Sequence, residues 1–247
     1  MKVVIIFAFI CNIAFAAHVY PEYLKQYRCK ASSENYSECF LNKLRNTLPY
    51  YVKGIPELDI PPFDPFTLPI YSRNVNILGN KISATFKNSI VTGLRNSIIH
   101  NAKVDLNNNY AEISVTIPWL DMATEYDISG EFFQYPLDVK GTFKGNITDI
   151  QLFSKSTLQT FKNNGEDYYK FDKINQKVQI GGGHIEITTT DKDLMPIVQT
   201  IQEYFNEHPR GFFNLILPFT LEYAQDLLRE FGNEYLANLP ASEWLPQ

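Results

Sequence analysis

The stretch VDLNNNYAEISVTI, residues 104–117, decides the fold class of this chain. Apolar Val104, Ile113 and Ile117 alternate with polar neighbours, which is the period of a strand with one buried face. The asparagines between the two alternating runs predict a hairpin turn. The same alternation continues, with interruptions by glycine and asparagine, as far as Ile187. We therefore expect a long antiparallel meander in the middle of the chain.

Helices are predicted after the strands. We expect Asp191 or Asp193 to cap a helix that runs to about Pro209. A longer helix is predicted over residues 212–239, and its first residues are apolar on nearly every side, which is typical of a fully buried helix. Because each strand has one apolar face, the sheet must curl or pack against a helix to bury it. The expected fold class is α+β, with a strongly curved antiparallel sheet wrapped around a long C-terminal helix.

Shorter elements are predicted before the strands. One helix is expected after Pro21, and a second is expected from about Ser33 to Pro49, where the missing proline N–H ends it. Residues 54–69 contain five prolines, which exclude a helix and a central strand there. We expect this segment to be an extended connector that lies on a hydrophobic surface.

The first residues match the pattern of a secretory signal peptide. Lys2 supplies a positive charge, an apolar run follows, and Ala14 and Ala16 form a small-residue cleavage signal. Residues 1–16 are the expected signal peptide, and residues 17–247 are the expected single mature domain. The apolar run is shorter than the ~20 residues that span a bilayer. The protein is therefore expected to be secreted and extracellular, without a stable membrane anchor.

The cysteines and the glycosylation acceptors agree with an extracellular protein. Cys11 lies in the expected signal peptide, which leaves Cys29 and Cys39 to form a disulfide in an oxidising compartment. Asn35 and Asn146 each begin an Asn-x-Ser/Thr sequence, which predicts a glycosylated position on the surface.

Composition and motifs exclude several classes of function. The chain is 45% hydrophobic and 20% charged, with a net charge of −5 and no block of basic residues, so neither disorder nor nucleic-acid binding is expected. The hydrolase elbow, the zinc-protease motif and the phosphate-binding loop are all missing from the sequence. His100, His184 and His208 are isolated from one another, so no enzyme activity, metal site or cofactor is expected. A hydrolase that uses His184 with an unrecognised nucleophile is the enzymatic alternative.

Aromatic residues are abundant, with 18 Phe, 15 Tyr and 2 Trp. They either fill an ordinary core or line an elongated apolar cavity between the curled sheet and the helix. Cavities of the second kind bind lipophilic molecules. Periodicity alone leaves both interpretations open.

Several motifs resemble the takeout and juvenile-hormone-binding protein family of insects. The most specific match is the connector, with GIPEL at residues 54–58 and PPFDP at residues 61–65. The spacing of Cys29 and Cys39 and the IPWL motif at residues 117–120 are also similar to the family. No cysteine follows Cys39, which resembles the takeout branch rather than the dedicated hormone carriers.

The resemblance implies an elongated single domain of the tubular lipid-binding (TULIP) type, with an internal hydrophobic tunnel and a carrier function. The implied partners are a small elongated hydrophobic ligand, such as a juvenile-hormone-like terpenoid, a fatty acid or another lipid, and an unidentified receptor. A role in circadian, feeding or behavioural output is implied in the same way. The alternative is a secreted interaction protein of the same fold, with a collapsed tunnel and no transported ligand.

The candidate ligand-binding residues are the positions expected to face the interior. From the strands they are Ile113, Val115, Ile117, Ile128, Phe132, Val139, Phe143, Phe171, Ile180 and Ile187. From the C-terminal helices they are Ile197, Ile201, Phe205, Phe213, Leu217 and Tyr223. The hydroxyl groups of Tyr126, Tyr168 and Tyr223 are the candidates for orienting the polar end of the ligand.

Overall fold

A computed structural model gives the structure of most of the chain. The described residues are 20–30, 33–77, 79–105, 107–132, 134–163 and 165–244. The expected signal peptide, residues 1–16, lies outside the described residues.

Helices stand at both ends of the described chain, and strands occupy its middle. The helices are α1 (Glu22–Lys25), α2 (Tyr36–Lys53), α3 (Met195–Glu207), α4 (Pro209–Leu236) and α5 (Ala241–Trp244), with 3₁₀ turns at Pro56–Leu58 and Leu94–Asn96. The strands are β1 (Phe66–Ile77), β2 (Asn80–Thr92), β3 (Ile98–Asp105), β4 (Tyr110–Phe132), β5 (Tyr135–Asn163), β6 (Glu166–Gln179) and β7 (Gly182–Thr189).

The strands form one antiparallel sheet in the order β1-β2-β4-β5-β6, with β3 beside β4 and β7 beside β5. β4 pairs with β5 along its whole length, and the predicted hairpin joins β3 to β4. β5 pairs with β7 over residues 141–148 and with β6 over residues 151–163. Because long strands change neighbours along their length, the sheet curls into a half-barrel.

Helix side chains cover the free edges of this sheet. On β7, the Asn206 amide of α3 accepts the N–H of Ile185 at 2.7 Å and donates to its carbonyl at 3.0 Å. On β6, Asn233 of α4 makes the same pair of bonds with Phe171, at 2.6 and 3.2 Å. On β3, the Arg45 guanidinium of α2 donates to backbone carbonyls. Edges covered in this way are not open to pairing with another chain.

α4 lies between the two edge strands β6 and β1. Asn233 holds β6, and on the other side the Tyr223 hydroxyl accepts the N–H of Asn76 in β1 at 3.0 Å. Phe231 packs edge-on against Phe66 of β1, with ring centroids 5.8 Å apart. The sheet therefore wraps around the long C-terminal helix, and the predicted architecture is confirmed.

The N-terminal helices and the connector form a cap at one end of the molecule. Leu24, Ile55, Leu58, Ile60 and Leu239 form a buried cluster in which no member is more than 8% exposed. We call it the cap cluster. It joins α1, the connector and the segment after α4, so the predicted packing of the connector on a hydrophobic surface is confirmed.

The predicted disulfide between Cys29 and Cys39 is present, with the two Cα atoms 5.8 Å apart. Cys29 is only 1% exposed and packs with Tyr36 and Phe40 of α2. The bond therefore fastens the segment after α1 to α2, inside the cap.

The predicted end of the second helix is wrong, because α2 continues through Pro49 to Lys53. A proline inside a helix removes one backbone hydrogen bond. The last turn carries Tyr50 and Tyr51, which pack against the cap cluster. We attribute the longer helix to this packing, because tertiary contacts supply most of the stability of a helix in a folded protein.

The predicted N-cap of α3 is also wrong. Leu194 takes the N-cap position and makes no capping hydrogen bond with its side chain. The Asp191 carboxylate instead accepts the N–H of Asp193 at 2.9 Å in the turn before the helix. Local hydrogen bonding of this kind competes with capping for an aspartate side chain.

α4 is less buried than its apolar sequence predicts. Between Pro209 and Leu236, none of the side chains that the structure describes is fully buried, and Leu215 is 62% exposed. The expectation of burial on every side is therefore wrong.

In the described part of the chain, no helix combines the length and the apolar character needed to cross a membrane.

Candidate ligand-binding interior

The interior lies between α4 and the face of the sheet that meets α3 and α4. Strand register identifies the inward side chains, because cross-strand partners share a face. Ile117 and Ile150 are such partners, and they join Ile180, Ile185 and Phe205 in a cluster whose members are 4–7% exposed. We call it the central cluster. It fills the interior where β5 changes its neighbour from β7 to β6.

Inward apolar side chains on either side of the central cluster are only half-buried. Ile113 and Leu152 lie towards the β3–β4 hairpin, and Ile128 lies towards the β4–β5 hairpin. Leu217 of α4 is half-buried as well. Apolar side chains on both the sheet and the helix therefore keep part of their surface exposed, unlike those of the central cluster.

The structure places most of the predicted strand positions on this inner face. The predicted residues in or against the central cluster are Val115, Ile117, Phe143, Ile180, Ile187, Phe205 and Phe213. Ile113 alternates onto the same face as Val115, and Val139, with its cross-strand partner Ile128, alternates onto the same face as Phe143. The side chain of Phe132 lies outside the described residues.

Phe171 packs directly against α4. Its ring packs on Gly232, where an added Cβ atom would lie 2.8 Å from the ring. Only a residue without a side chain fits between the helix and the strand at this position. Phe171 therefore helps to seal α4 against β6.

α3 turns a different face to the sheet from the predicted one. Gln202 and Asn206 bond to the backbone of β7, and Phe205 enters the central cluster. Ile197 and Ile201 are 56% and 39% exposed. At 3.6 residues per turn, Ile197 lies well away from the side that meets β7, whereas Ile201, one turn before Phe205, lies at the border of that side. Their assignment to the interior lining is therefore corrected, because the spacing of apolar residues fits either side of this helix.

Two of the three tyrosines proposed to orient a ligand already bond to the backbone. The Tyr126 hydroxyl donates to the Thr188 carbonyl at 2.7 Å, and burial raises the pKa of Tyr126. The Tyr223 hydroxyl accepts the N–H of Asn76. Both hydroxyls therefore help to hold secondary structure together, and their role in orienting a ligand stays a prediction.

Tyr168, the third of these tyrosines, points away from the interior. It is the cross-strand partner of Phe161, and the two rings stack with centroids 5.6 Å apart. Strand alternation puts Tyr168 on the face opposite that of Phe171. Its predicted role is corrected for this reason.

The three described histidines lie in different places in the fold, on β3, on β7 and between α3 and α4. His100 hydrogen-bonds through Nε2 to the Thr116 hydroxyl at 2.8 Å, on the outer side of the sheet, and His184 is exposed on β7. Among the described residues, no group of His, Cys, Asp and Glu has the arrangement of a metal site.

The titratable groups with the largest pKa changes lie in the cap rather than in the interior. Burial, with a contribution from the charge of Arg28, lowers the pKa of Lys43 to about 8. Burial, with a contribution from Tyr169, raises the pKa of Tyr36 to about 12. Lys43 and Arg28 also line a surface cavity of about 410 Å³ beside the disulfide. The residues that line this cavity all lie between Gln26 and Asn46, so it belongs to the cap and not to the sheet or α4.

Comparison with known families assigns the chain. The sequence model of the haemolymph juvenile hormone binding protein (JHBP) family matches residues 4–246. The chain belongs to the JHBP family. A comparison with curated protein sequences finds no match.

Two solved structures are similar to this chain to different degrees. The crystal structure of Epiphyas postvittana Takeout 1 superposes with a TM-score of 0.65 at 18% identity, covering 90% of this chain and 100% of that one. Lipopolysaccharide binding protein gives a TM-score of 0.29 at 13% identity, covering 69% of this chain and 35% of that one. The first similarity supports the fold, and the second is too low to support an argument.

An ionic seam between β1 and α4, which the sequence pattern does not reveal, closes this JHBP-family half-barrel. The Arg73 guanidinium of β1 pairs with Glu230 at 2.7 Å and with Asp226 at 3.0 Å, both in α4. Asp226 and Glu230 follow Arg73 by 153 and 157 positions in the sequence. No local pattern links charges at such separations, so only the folded chain reveals the seam.

Proposed function

We propose that the protein is a secreted carrier that binds a small elongated hydrophobic ligand between the curved sheet and α4. The observation that carries the proposal is the half-buried state of apolar side chains on both facing surfaces, on the sheet and on α4 alike. Membership of the JHBP family supports it. The ligand classes that fit are a juvenile-hormone-like terpenoid, a fatty acid or another lipid.

The gain from burying such a ligand is large enough for a carrier. Removing about 400 Å² of apolar surface from water contributes on the order of 10 kcal/mol at ~25 cal/mol/Å². The loss of free translation and rotation costs at least ~4 kcal/mol. The remainder corresponds to dissociation constants of roughly micromolar magnitude, and hydrogen bonds to a polar group would tighten binding further.

The extracellular part of the proposal rests on the N-terminal sequence and the disulfide. We propose that residues 1–16 are removed as a signal peptide and that residues 17–247 are secreted as one domain. Asn35 is exposed before α2, and Asn146 is half-buried on β5 with its amide donating to Asp121 at 2.6 Å. Both remain proposed glycosylation sites. The lack of cysteine after Cys39 supports the takeout branch, with its circadian, feeding or behavioural roles, and a receptor belongs to the same proposal.

The carrier proposal is tested by extraction and by a pair of helix variants. Mass spectrometry of an organic extract of the natively purified protein should detect a bound lipid. Leu217→Glu places a charge at a half-buried position of α4, whereas Leu215→Glu places it at a 62% exposed position of the same helix. We expect Leu217→Glu to weaken binding of a hydrophobic fluorescent probe at least tenfold and Leu215→Glu to leave it unchanged. Equal affinity in both folded variants would contradict the assignment of the interior.

A second function is favoured by the central cluster. Ile117, Ile150 and Phe205 are no more than 7% exposed, so this part of the interior is already filled by protein. If the rest of the interior is collapsed in solution, the protein is a secreted interaction protein without a transported ligand. That function predicts no extractable lipid and no binding of hydrophobic probes.

A further inference from the structure

Over residues 174–180, at the end of β6 and in the residue after it, the inner face is apolar except at one position. Ile174, Val178 and Ile180 share this face with Gln176, and all four side chains are half-buried or buried. Their neighbours at positions 175, 177 and 179 are exposed on the other face. Strand alternation therefore directs the Gln176 carboxamide towards the interior.

The neighbouring strand, β5, also carries polar residues beside Gln176. Ser154 of β5 is the cross-strand partner of Gln176, and Ser156 is the next inward residue on β5. Beyond them, the inner face of β5 is again apolar, with Leu152 on one side and Leu158 on the other. Cross-strand partners have Cβ atoms about 5 Å apart. Ser154, Ser156 and Gln176 therefore form a single polar island in an apolar wall.

α4 meets the sheet beside this island. The Gln225 carboxamide, oriented so that both of its groups are satisfied, donates to the Ile174 carbonyl at 3.2 Å and accepts the N–H of Gln176 at 3.0 Å. Ser156 donates to the Ala111 carbonyl at 3.5 Å. Within the described part of the chain, the Ser154 hydroxyl and the Gln176 side chain make no hydrogen bond to protein. Polar groups on an inner wall normally have a hydrogen-bond partner. The Ser154 hydroxyl and the Gln176 carboxamide can therefore bond to a ligand.

We propose that Ser154 and Gln176 bind a neutral hydrogen-bonding group of the carried molecule. The inference rests on the proposed carrier function and narrows its ligand to a long apolar molecule bearing an alcohol, ester or amide. A hydroxyl and a carboxamide both donate and accept hydrogen bonds, so they suit uncharged polar groups. The row of cross-strand partners through Ala102, Ile113, Ser154 and Gln176 contains no basic residue to balance a carboxylate. A pure hydrocarbon would leave the island without partners.

The test compares ligands of equal chain length in competition with a hydrophobic fluorescent probe. Wild-type protein should bind 1-dodecanol more tightly than dodecane, and dodecanoate no more tightly than dodecanol. Ser154→Ala and Gln176→Leu should each weaken dodecanol binding about three- to tenfold, which is the range for one neutral hydrogen bond. Binding of dodecane should be unchanged or tighter. The matched control is Gln179→Leu, which makes the same replacement on the outer face of β6, where the side chain is exposed.

The possible results separate the failure of this inference from the failure of the carrier function. Equal affinity for dodecanol and dodecane in the wild type would overturn the polar island as a ligand site. The island would also be overturned if Ser154→Ala and Gln176→Leu lost affinity equally for dodecanol and dodecane. The same holds if Gln179→Leu lost as much affinity for dodecanol as these two variants. A preference for dodecanoate above threefold would overturn the neutral assignment. If the wild type binds neither the probe nor any ligand, the carrier function itself fails. Circular dichroism of each variant establishes that it is folded.

Discussion

Replacing Asp64 with asparagine should destabilise the protein by about 3 kcal/mol at neutral pH. The Asp64 side chain has no exposed surface and joins the connector to the 3₁₀ turn before β3. Its carboxylate accepts the backbone N–H groups of Gly93 at 3.0 Å and Arg95 at 2.8 Å, and it pairs with the Arg95 guanidinium at 2.9 Å. The asparagine amide keeps one oxygen for the two N–H groups but turns an NH2 donor towards the Arg95 guanidinium, and each hydrogen bond to a charged group that is lost or weakened costs up to about 1.5–3 kcal/mol.

The stabilisation by Asp64 should depend on pH in a defined direction. The Arg95 guanidinium, with the backbone N–H groups of Arg95 and Gly93, holds the pKa of Asp64 below its usual value of 3.8. The folded state therefore favours the ionised carboxylate. The contribution is fully present above the pKa of the unfolded chain and is lost as the pH falls through the lower pKa of the folded state.

Urea denaturation followed by circular dichroism measures this effect, because the free energy of unfolding extrapolates linearly to water. The difference between wild type and Asp64→Asn should be largest at neutral pH and should shrink below about pH 4. Asp138→Asn is the control, since Asp138 is 75% exposed and meets Lys140 at 3.7 Å. Its loss should not exceed about 0.5 kcal/mol. Equal stability of Asp64→Asn and wild type, or a difference independent of pH, would refute the reasoning.

Three further predictions concern the closure of the barrel and its cap. Replacing Cys29 and Cys39 by serine should cost roughly 3 kcal/mol in urea denaturation, and an unchanged midpoint would contradict a stabilising disulfide. Arg73→Ala removes the ion pair with Asp226, so stopped-flow fluorescence should show faster release of a bound hydrophobic probe; an unaltered rate would mean that α4 does not open at this seam. Asn206→Leu uncovers the edge of β7 and should cost about 1–2 kcal/mol while promoting self-association, whereas an equally stable monomer by light scattering would argue against edge protection.

The hairpin between β3 and β4 shows what local sequence predicts well. The alternation in residues 104–117 gives the strand period, and the asparagines mark the turn between the strands. Both signals act over a few residues, so they hold in any environment with one buried face. Gln176 was detectable in the same way, because it interrupts the apolar run of Ile174, Val178 and Ile180 at a spacing of two residues.

The helix predictions were wrong where contacts with distant parts of the chain determine the end or the orientation of the helix. α2 passes through Pro49 because its last turn packs on the cap cluster. On α3, the apolar spacing of Ile197 and Ile201 is as regular as that of the side that meets the sheet. The side of α3 that carries Asn206 faces the sheet, because the Asn206 amide bonds to the edge of β7. A single helix sequence contains no information about which strand edge it will cover.

The sequence by itself determined the alternating strands, the apolar C-terminal helix, the disulfide and the resemblance to the JHBP family. These properties follow from short-range periodicity, from the chemistry of individual residues or from motif spacing. Only the tertiary structure decided which face of each element points inward, how α4 is held between β1 and β6, and where polar groups interrupt the inner wall. The reason is physical: periodicity establishes which residues share a face, but burial of that face depends on contacts between segments far apart in the chain.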